Sequence, residues 1–235
     1  MIGLDFWRRY FKVYDVLNLL PTYRQLLSEV CEELGAKEGE LVLDAGSGTG
    51  NLALKLSEGG SHVVALDYCW EALERHRTKD SNSSLILADL AKQLPFIDNC
   101  FDKIVSNNTL YTLPAEKQKN TLKEFHRVLK PGGKIALANL RARSSPLVTS
   151  LRVMGDNIRA EGLKTTARKM AALMPDMIKM AYYNWNLGRE SQHHRFGLEE
   201  QRALLEDVGF WRVSETKLVY SGQGILNIAY KLADT

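Results

Sequence analysis

The stretch LVLDAGSGTGNLALKL, residues 41–56, joins two different patterns. A run of Leu and Val stops at Asp44, glycines follow at 46, 48 and 50, and apolar residues then resume at helical spacing. Alternating glycines at a strand–helix junction let the chain turn tightly and present backbone N–H groups to a ligand. The spacing is G-x-G-x-G with Asp44 in front, not the G-x-G-x-x-G of a dinucleotide loop. A carboxylate at that place would sit where a diphosphate has to go.

Outward from this loop, short apolar runs alternate with helical patterns. LVLDA, HVVALD, SLILADL, FDKIVSN and KIALANL read as buried strands, with helices near 50–58, 69–78 and 115–129. This alternation predicts an α/β fold, a parallel sheet with helices on both faces. Residues 4–35 read as two helices broken near Pro21, and EKQKNTLKEFHRVLK ends on the helix stop PGG. Near the end, GLEEQRALLEDVGF reads as a helix closing on Gly209. WRVSETKLVY and ILNIAYKL then read as two strands around SGQG, a hairpin.

The rhythm lapses between residues 141 and 195, which carry no strand pattern and are interrupted by Pro146, Gly155, Gly162 and Pro175. The expected organisation is therefore N-terminal helices over 1–35, a ligand-binding core over 36–140, a helical insertion over 141–195, and a helix and hairpin over 196–235 that complete the core.

Composition narrows the function classes. A chain of 235 residues with 45% apolar and 25% charged residues can bury a core without staples. Cys31, Cys69 and Cys100 are odd in number and widely spaced, so neither a disulfide framework nor a metal site is expected. The N-terminus mixes charge into its apolar residues, and no apolar run approaches the ~20 residues of a membrane span, which points to a cytoplasmic protein. The net charge of +3 is too small to imply nucleic acid, but it is unevenly spread. Residues 141–195 hold ten Lys and Arg against four Asp and Glu, so the basic character belongs to this one segment.

The strand ends carry the chemistry. Asp67 closes the second predicted strand, where a carboxylate can accept hydrogen bonds from two ribose hydroxyls. Asp89, followed by Leu90, closes the third, an acceptor beside an apolar residue that suits an adenine amino group and ring. Taken singly, each aspartate also fits a helix N-cap or a turn. Together with Asp44, the glycines and Asn107, they close four successive strands at one sheet edge, where open α/β sheets bind ligands.

The series LDAGSGTG, VVALD, LILADLAKQLPFIDNCFDKIVSN and FHRVLKPGGKIALA resembles the class I S-adenosylmethionine-dependent methyltransferases over residues 41–139. The resemblance implies a Rossmann-like sheet of seven strands, mostly parallel, in the order 3-2-1-4-5-7-6, with an antiparallel seventh strand. It also implies S-adenosylmethionine as cofactor and S-adenosylhomocysteine as product. Position by position, Ala45, Gly46, Ser47, Gly48 and Thr49 with Asp44 would cradle the methionine part. Asp67 would take the ribose, Tyr68 would lie beside the adenine, Asp89 and Leu90 would hold the adenine amino group, and Asn107 would line the floor near the sulfonium. The segment YDVLNLL (Tyr14, Asp15, Asn18) and the KPGG block look like the quinone-biosynthesis C-methyltransferases and their small-molecule relatives, which adds Tyr14 to the cofactor set. NNTLYTLP, after the fourth strand, departs from that group's pattern.

The acceptor is expected to be a small lipophilic or aromatic molecule, the alternative readings of the chain being a nucleic-acid or protein methyltransferase or a non-catalytic S-adenosylmethionine-binding protein. Ser106-Asn107-Asn108-Thr109 lacks the D/N-P-P-Y/F motif of enzymes that methylate flipped bases. No basic track interleaved with aromatics suggests single-stranded nucleic acid. Met154, Met170, Met174, Met177 and Met180 fall in the insertion, several at helical spacing with Leu173, Ile178 and Ala181, and Pro175 should kink or restart that helix. This face is either core or an adaptable lid over a bulky ligand. With the local basic surplus and the aromatic, basic stretch FWRRYFKVYDVLNLL, residues 1–20 and 141–195 are expected to cap the site and to touch an anionic membrane surface peripherally. Tyr14, Tyr111, His193 and His194 are the candidate general bases, the histidines being equally readable as solvated loop. His126, on a helix beside the sheet, reads as structural.

Overall fold

The structure, a computed structural model, describes residues 3–142, 155, 158–159, 162–189 and 194–233. Helix α1 (Leu4–Tyr14) and a 3-10 turn (Asp15–Leu19) lead into α2 (Pro21–Leu34). Then come β1 (Leu41–Ala45), α3 (Asn51–Glu58), β2 (His62–Asp67), α4 (Trp70–Lys79), β3 (Ser84–Leu87) and β4 (Phe101–Asn107). Helix α5 (Ala115–Val128) and β5 (Leu129–Leu140) follow. Beyond them lie α6 (Leu163–Arg189), α7 (Glu200–Val208), β6 (Lys217–Val219) and β7 (Gly224–Tyr230).

The strands form one sheet in the order β3-β2-β1-β4-β5-β7-β6, with β7 antiparallel to both neighbours and the other pairs parallel. This is the order that the resemblance to class I methyltransferases implies. Both faces are covered, as the continuous Val/Ile/Leu runs require. Alternate residues divide between two cores: Leu43, Ile104 and Ile135 pack with Phe125 of α5 and Leu205 of α7, while Val42, Val105 and Ala136 pack with Val30 and Leu34 of α2.

Three local expectations are corrected. The PGG tripeptide does not separate helix from strand. Helix α5 ends at Val128, Leu129 already pairs with Phe101, and β5 runs on through Pro131, Gly132 and Gly133 with a register shift opposite Phe101 and Lys103. A side chain at Gly133 would meet Lys130 O at 2.7 Å, so the kink is absorbed inside the strand. The first predicted hairpin strand shrinks to Lys217–Val219 because the side chains of Ser214 and Asn227 take over the ladder: Ile228 N–H donates to Ser214 Oγ at 3.0 Å and Asn227 Nδ2 to Ser214 O at 3.1 Å. Helix α6 runs without a restart through Pro175. Of the other residues singled out in the insertion, Pro146, Met154 and His193 lie outside the described residues.

A buried polar network ties α7 to the sheet. Gln201 Nε2 donates to Leu137 O and to Asn227 Oδ1, both at 2.9 Å, and Gln201 Oε1 accepts from Asn139 Nδ2 at 2.8 Å. Asn139 Oδ1 in turn accepts from the Tyr111 backbone N–H at 3.2 Å, which fixes the turn after β4. Gln201→Leu fills the space but leaves Asn139, Leu137 and Asn227 short of partners. Urea unfolding should show a loss of roughly 2–5 kcal/mol.

Candidate active site

The glycine loop is held by glycine-only geometry. Gly46, Gly48 and Gly50 all have positive φ, at 83°, 54° and 81°. A Cβ at Gly46 would lie 2.2 Å from Thr109 Cγ2, and one at Gly50 would lie 2.3 Å from the His76 ring. The Gly46 and Ser47 N–H groups donate to Leu66 O at 2.8 and 2.9 Å, and Gly48 N–H donates to Asp67 Oδ2 at 2.8 Å. Asp67 Oδ1 accepts from Cys69 N–H, also at 2.8 Å. Each Asp67 oxygen keeps a second lone pair for a ligand hydroxyl. Burial raises the Asp67 pKa, and these backbone bonds oppose the rise.

The loop is also tied to the N-terminal segment. Asp15 Oδ1 accepts from Thr49 Oγ1 at 2.5 Å and from Lys79 Nζ at 2.7 Å. The same ammonium donates to Thr49 O and Asn51 Oδ1, both at 2.8 Å, and Asn18 Nδ2 donates to Asn51 Oδ1 at 2.7 Å. Asp15 and Asn18 of the YDVLN segment are thus anchors of the loop.

Tyr14, Asp44, Gly46, Ser47, Gly48, Asp67, Tyr68, Asp89, Leu90, Asn107 and Tyr111 come together as the lining of one cleft at the carboxyl edge of the sheet. Ala45 and Thr49 do not line it. Ala45 is packed in the core with its carbonyl accepting from Ser106 Oγ at 2.8 Å, and Thr49 turns its hydroxyl to Asp15. Asp89 lies two residues past the end of β3 and caps its own turn, Oδ1 accepting from Ala91 N–H at 2.9 Å. His194 is not among the residues lining the cleft and pairs with Glu200 at the surface. His126 stacks edge-on against Phe210 at 5.0 Å, away from the cleft.

The sequence reading named no site role for most of the aromatic wall. Trp7, Tyr10, Phe11 and Tyr14 share one face of α1, and Tyr23, Tyr111 and Tyr220 join them around the cleft. The signal was present in the spacing of positions 7, 10, 11 and 14, which is that of a helix stripe. Asn184 and Tyr220 also line the cleft, and nothing local in their sequence marks them. Of the aromatic residues of α1, Tyr10 and Phe11 are buried and Phe6, Trp7 and Tyr14 half-buried, whereas Arg8, Arg9 and Lys12 are exposed.

Several buried polar atoms of the cleft lack protein partners. Asp44 Oδ2, Ser47 Oγ, Asn51 Nδ2 and Asn107 Oδ1 have no hydrogen-bond partner among the described residues. Such atoms are costly in a closed core and are expected where a polar ligand completes them. Asp44 carries the largest consequence, since burial and then the Asp67 charge push its pKa up to about 7, partly offset by the Ala53 backbone. An ammonium group beside it would favour the charged form. This set fits S-adenosylmethionine, with acceptors for its ammonium group at Asp44 and for its ribose at Asp67.

Residues 43–137 match the family described as methyltransferase domain. A demethylmenaquinone methyltransferase of Staphylococcus saprophyticus is 32% identical over 142 residues, covering 57% of this chain and 60% of the relative. The match thus spans less than two thirds of that relative's length. The Staphylococcus aureus protein of the same name is 26% identical over 237 residues, 95% of this chain and 90% of the relative. Among solved structures, 1,6-didemethyltoxoflavin-N1-methyltransferase of Burkholderia thailandensis superposes with a TM-score of 0.63 at 18% identity, covering 97% of this chain and 86% of that one, a likeness of fold.

The sheet order is that of the class I methyltransferase fold, and residues 43–137 carry a methyltransferase domain. S-adenosylmethionine is the methyl donor that the domain match and the polar lining of the cleft fit.

The sign of the pH effect follows from Asp44. Below about pH 7 the free chain holds Asp44 protonated, and pairing with the cofactor's ammonium requires loss of that proton. Cofactor affinity should therefore rise as pH climbs towards about 7, by up to tenfold per unit, and calorimetry should detect proton release. Asp44→Asn should bind more weakly and lose the slope.

Proposed function

We propose that the chain transfers the methyl group of S-adenosylmethionine to a small, flat, apolar acceptor of the quinol kind. The observation that carries this reading is the make-up of the cleft. Its charged lining residues are Asp44, Asp67 and Asp89 at the strand ends, while the adjoining wall is built of Trp7, Tyr10, Phe11, Tyr14 and Tyr111. No Lys, Arg or His lines it among the described residues, so phosphate-rich acceptors such as nucleic acid find no counter-charge there. The relatives' shared name supports a demethylated quinone as the acceptor's class.

In this reading Asp44 and Ser47 hold the methionine end of the cofactor, and Asp67 and Asp89 hold the adenosine end. The bound cofactor supplies a methyl carbon already activated by its sulfonium. The chain's part is alignment and exclusion of water. Tyr10, Tyr14 and Tyr111 are neutral phenols near pH 7, since burial pushes Tyr111 up to about 12 and the other two well above their ordinary value. They offer hydrogen bonds to an acceptor oxygen and are not anionic bases. Tyr14 Oη lies 3.1 Å from Tyr23 Oη, a contact that orients the Tyr14 hydroxyl. Nucleophilicity must then come from the acceptor, as it does when a quinol ionises.

A mass-spectrometric assay with deuterium-labelled cofactor and a naphthoquinol lacking a ring methyl should yield the labelled ring-methylated product. Cofactor binding without transfer to any quinol or phenol would reject the reading. Tyr111→Phe should lower kcat about tenfold or more at unchanged cofactor affinity. Equal turnover in steady-state kinetics would remove Tyr111 from the acceptor site.

A further inference from the structure

Helix α6 has two unlike apolar faces. Its inner face carries Met177, Met180, Tyr183, Asn184 and Leu187. Tyr183 meets Phe6 edge-on at 5.5 Å, and Tyr10 Oη donates to Asn184 Oδ1 at 3.3 Å, so this face closes on α1 and reaches the cleft. On the opposite side Met174, Ile178, Tyr182 and Trp185 recur at intervals of four, four and three and are 46%, 61%, 58% and 52% exposed. At about 100° per residue these positions form one stripe, turned about 180° from Met180 and Leu187. Leu163, 66% exposed, extends the row toward the start of the helix. A helix on the surface of a soluble domain is expected to be polar on its outer side.

Charge follows the stripe. Lys164, Arg168 and Lys179 are exposed along one flank of it, within about 40–100° of its centre. The one acidic residue of α6 is Asp176, which lies toward the inner side and approaches Lys179 at 3.3 Å. No described helix is long and apolar enough to cross a membrane.

We propose that the outer face of α6 docks on an anionic phospholipid surface, resting the stripe at the headgroup boundary with its basic flank among the phosphates. Tyr182 and Trp185 are the residue types that favour this boundary, and an apolar stripe edged by Lys and Arg is the composition of an interfacial helix. A second copy fits less well, because antiparallel pairing of the stripes sets basic flank against basic flank. The inference rests on the reading of an apolar acceptor: the helix that would touch the lipid on one side lines the acceptor cleft with Asn184 on the other, giving a lipid-borne acceptor a short path.

Flotation of the full chain with phosphatidylglycerol-rich vesicles and with phosphatidylcholine vesicles, at physiological salt, tests the proposal. Binding is expected to the anionic vesicles only. The double substitution Ile178→Gln with Tyr182→Gln should cut it about tenfold or more, and Lys164→Gln with Arg168→Gln should also reduce it. All four positions lie outside the cleft, so cofactor binding and methylation of a soluble quinol should persist, which separates failure of docking from failure of the proposed activity. Equal binding to both vesicle types, unchanged binding by the variants, or self-association abolished by the first pair in place of lipid binding would overturn the assignment.

Discussion

One carboxylate holds the site in shape. Asp67, at the end of β2, accepts N–H groups from Gly48 on one side and Cys69 on the other. It thereby fixes the glycine loop of β1 to the neighbouring strand and sets the direction in which α4 departs. Burial makes its charge expensive, and the two backbone bonds are what keep a carboxylate there. The loop can accept this hold because its three glycines adopt positive φ and because Thr109 and His76 occupy the space where side chains would stand. Beside this anchored loop, Asp44 Oδ2 and Ser47 Oγ are buried with no hydrogen-bond partner among the described residues.

A second tie makes the N-terminal segment part of the same unit. Lys79 and Asp15 meet at 2.7 Å with Thr49 and Asn51 in the same network, so the turn following α1 cannot shift without disturbing the loop. Helix α1 then delivers its aromatic face to the cleft, and α6 packs against α1 from outside. Cofactor loop, aromatic wall and outer helix form a continuous series from sheet edge to surface. The proposed chemistry divides accordingly, with polar recognition at the strand ends and apolar recognition on the added helices.

What the sequence made legible was local and periodic. The strand runs, the glycine loop and the terminal aspartates lie in order along the chain, and parallel topology brings strand ends to one edge, so Asp44, Asp67 and Asn107 could be grouped before any coordinates. The strand through PGG and the loss of the first hairpin strand were not legible, because both depend on partners far away: Leu129 on Phe101, and Ser214 on Asn227 and Ile228. The aromatic content of α1 was visible, but its direction was not. The spacing of those aromatic residues marks a stripe but not its partner, which is Tyr183 and Asn184, the latter 174 residues after Tyr10 along the chain. His194 shows the same limit, since its partner Glu200 lies across a turn.

The most direct test is a crystal structure of the chain with S-adenosylhomocysteine. The account predicts the ribose hydroxyls on Asp67, the ammonium group beside Asp44, and the sulfur facing the space bounded by Tyr10, Phe11 and Tyr111. A ligand bound elsewhere, or one whose sulfur is walled off from those rings, would contradict it.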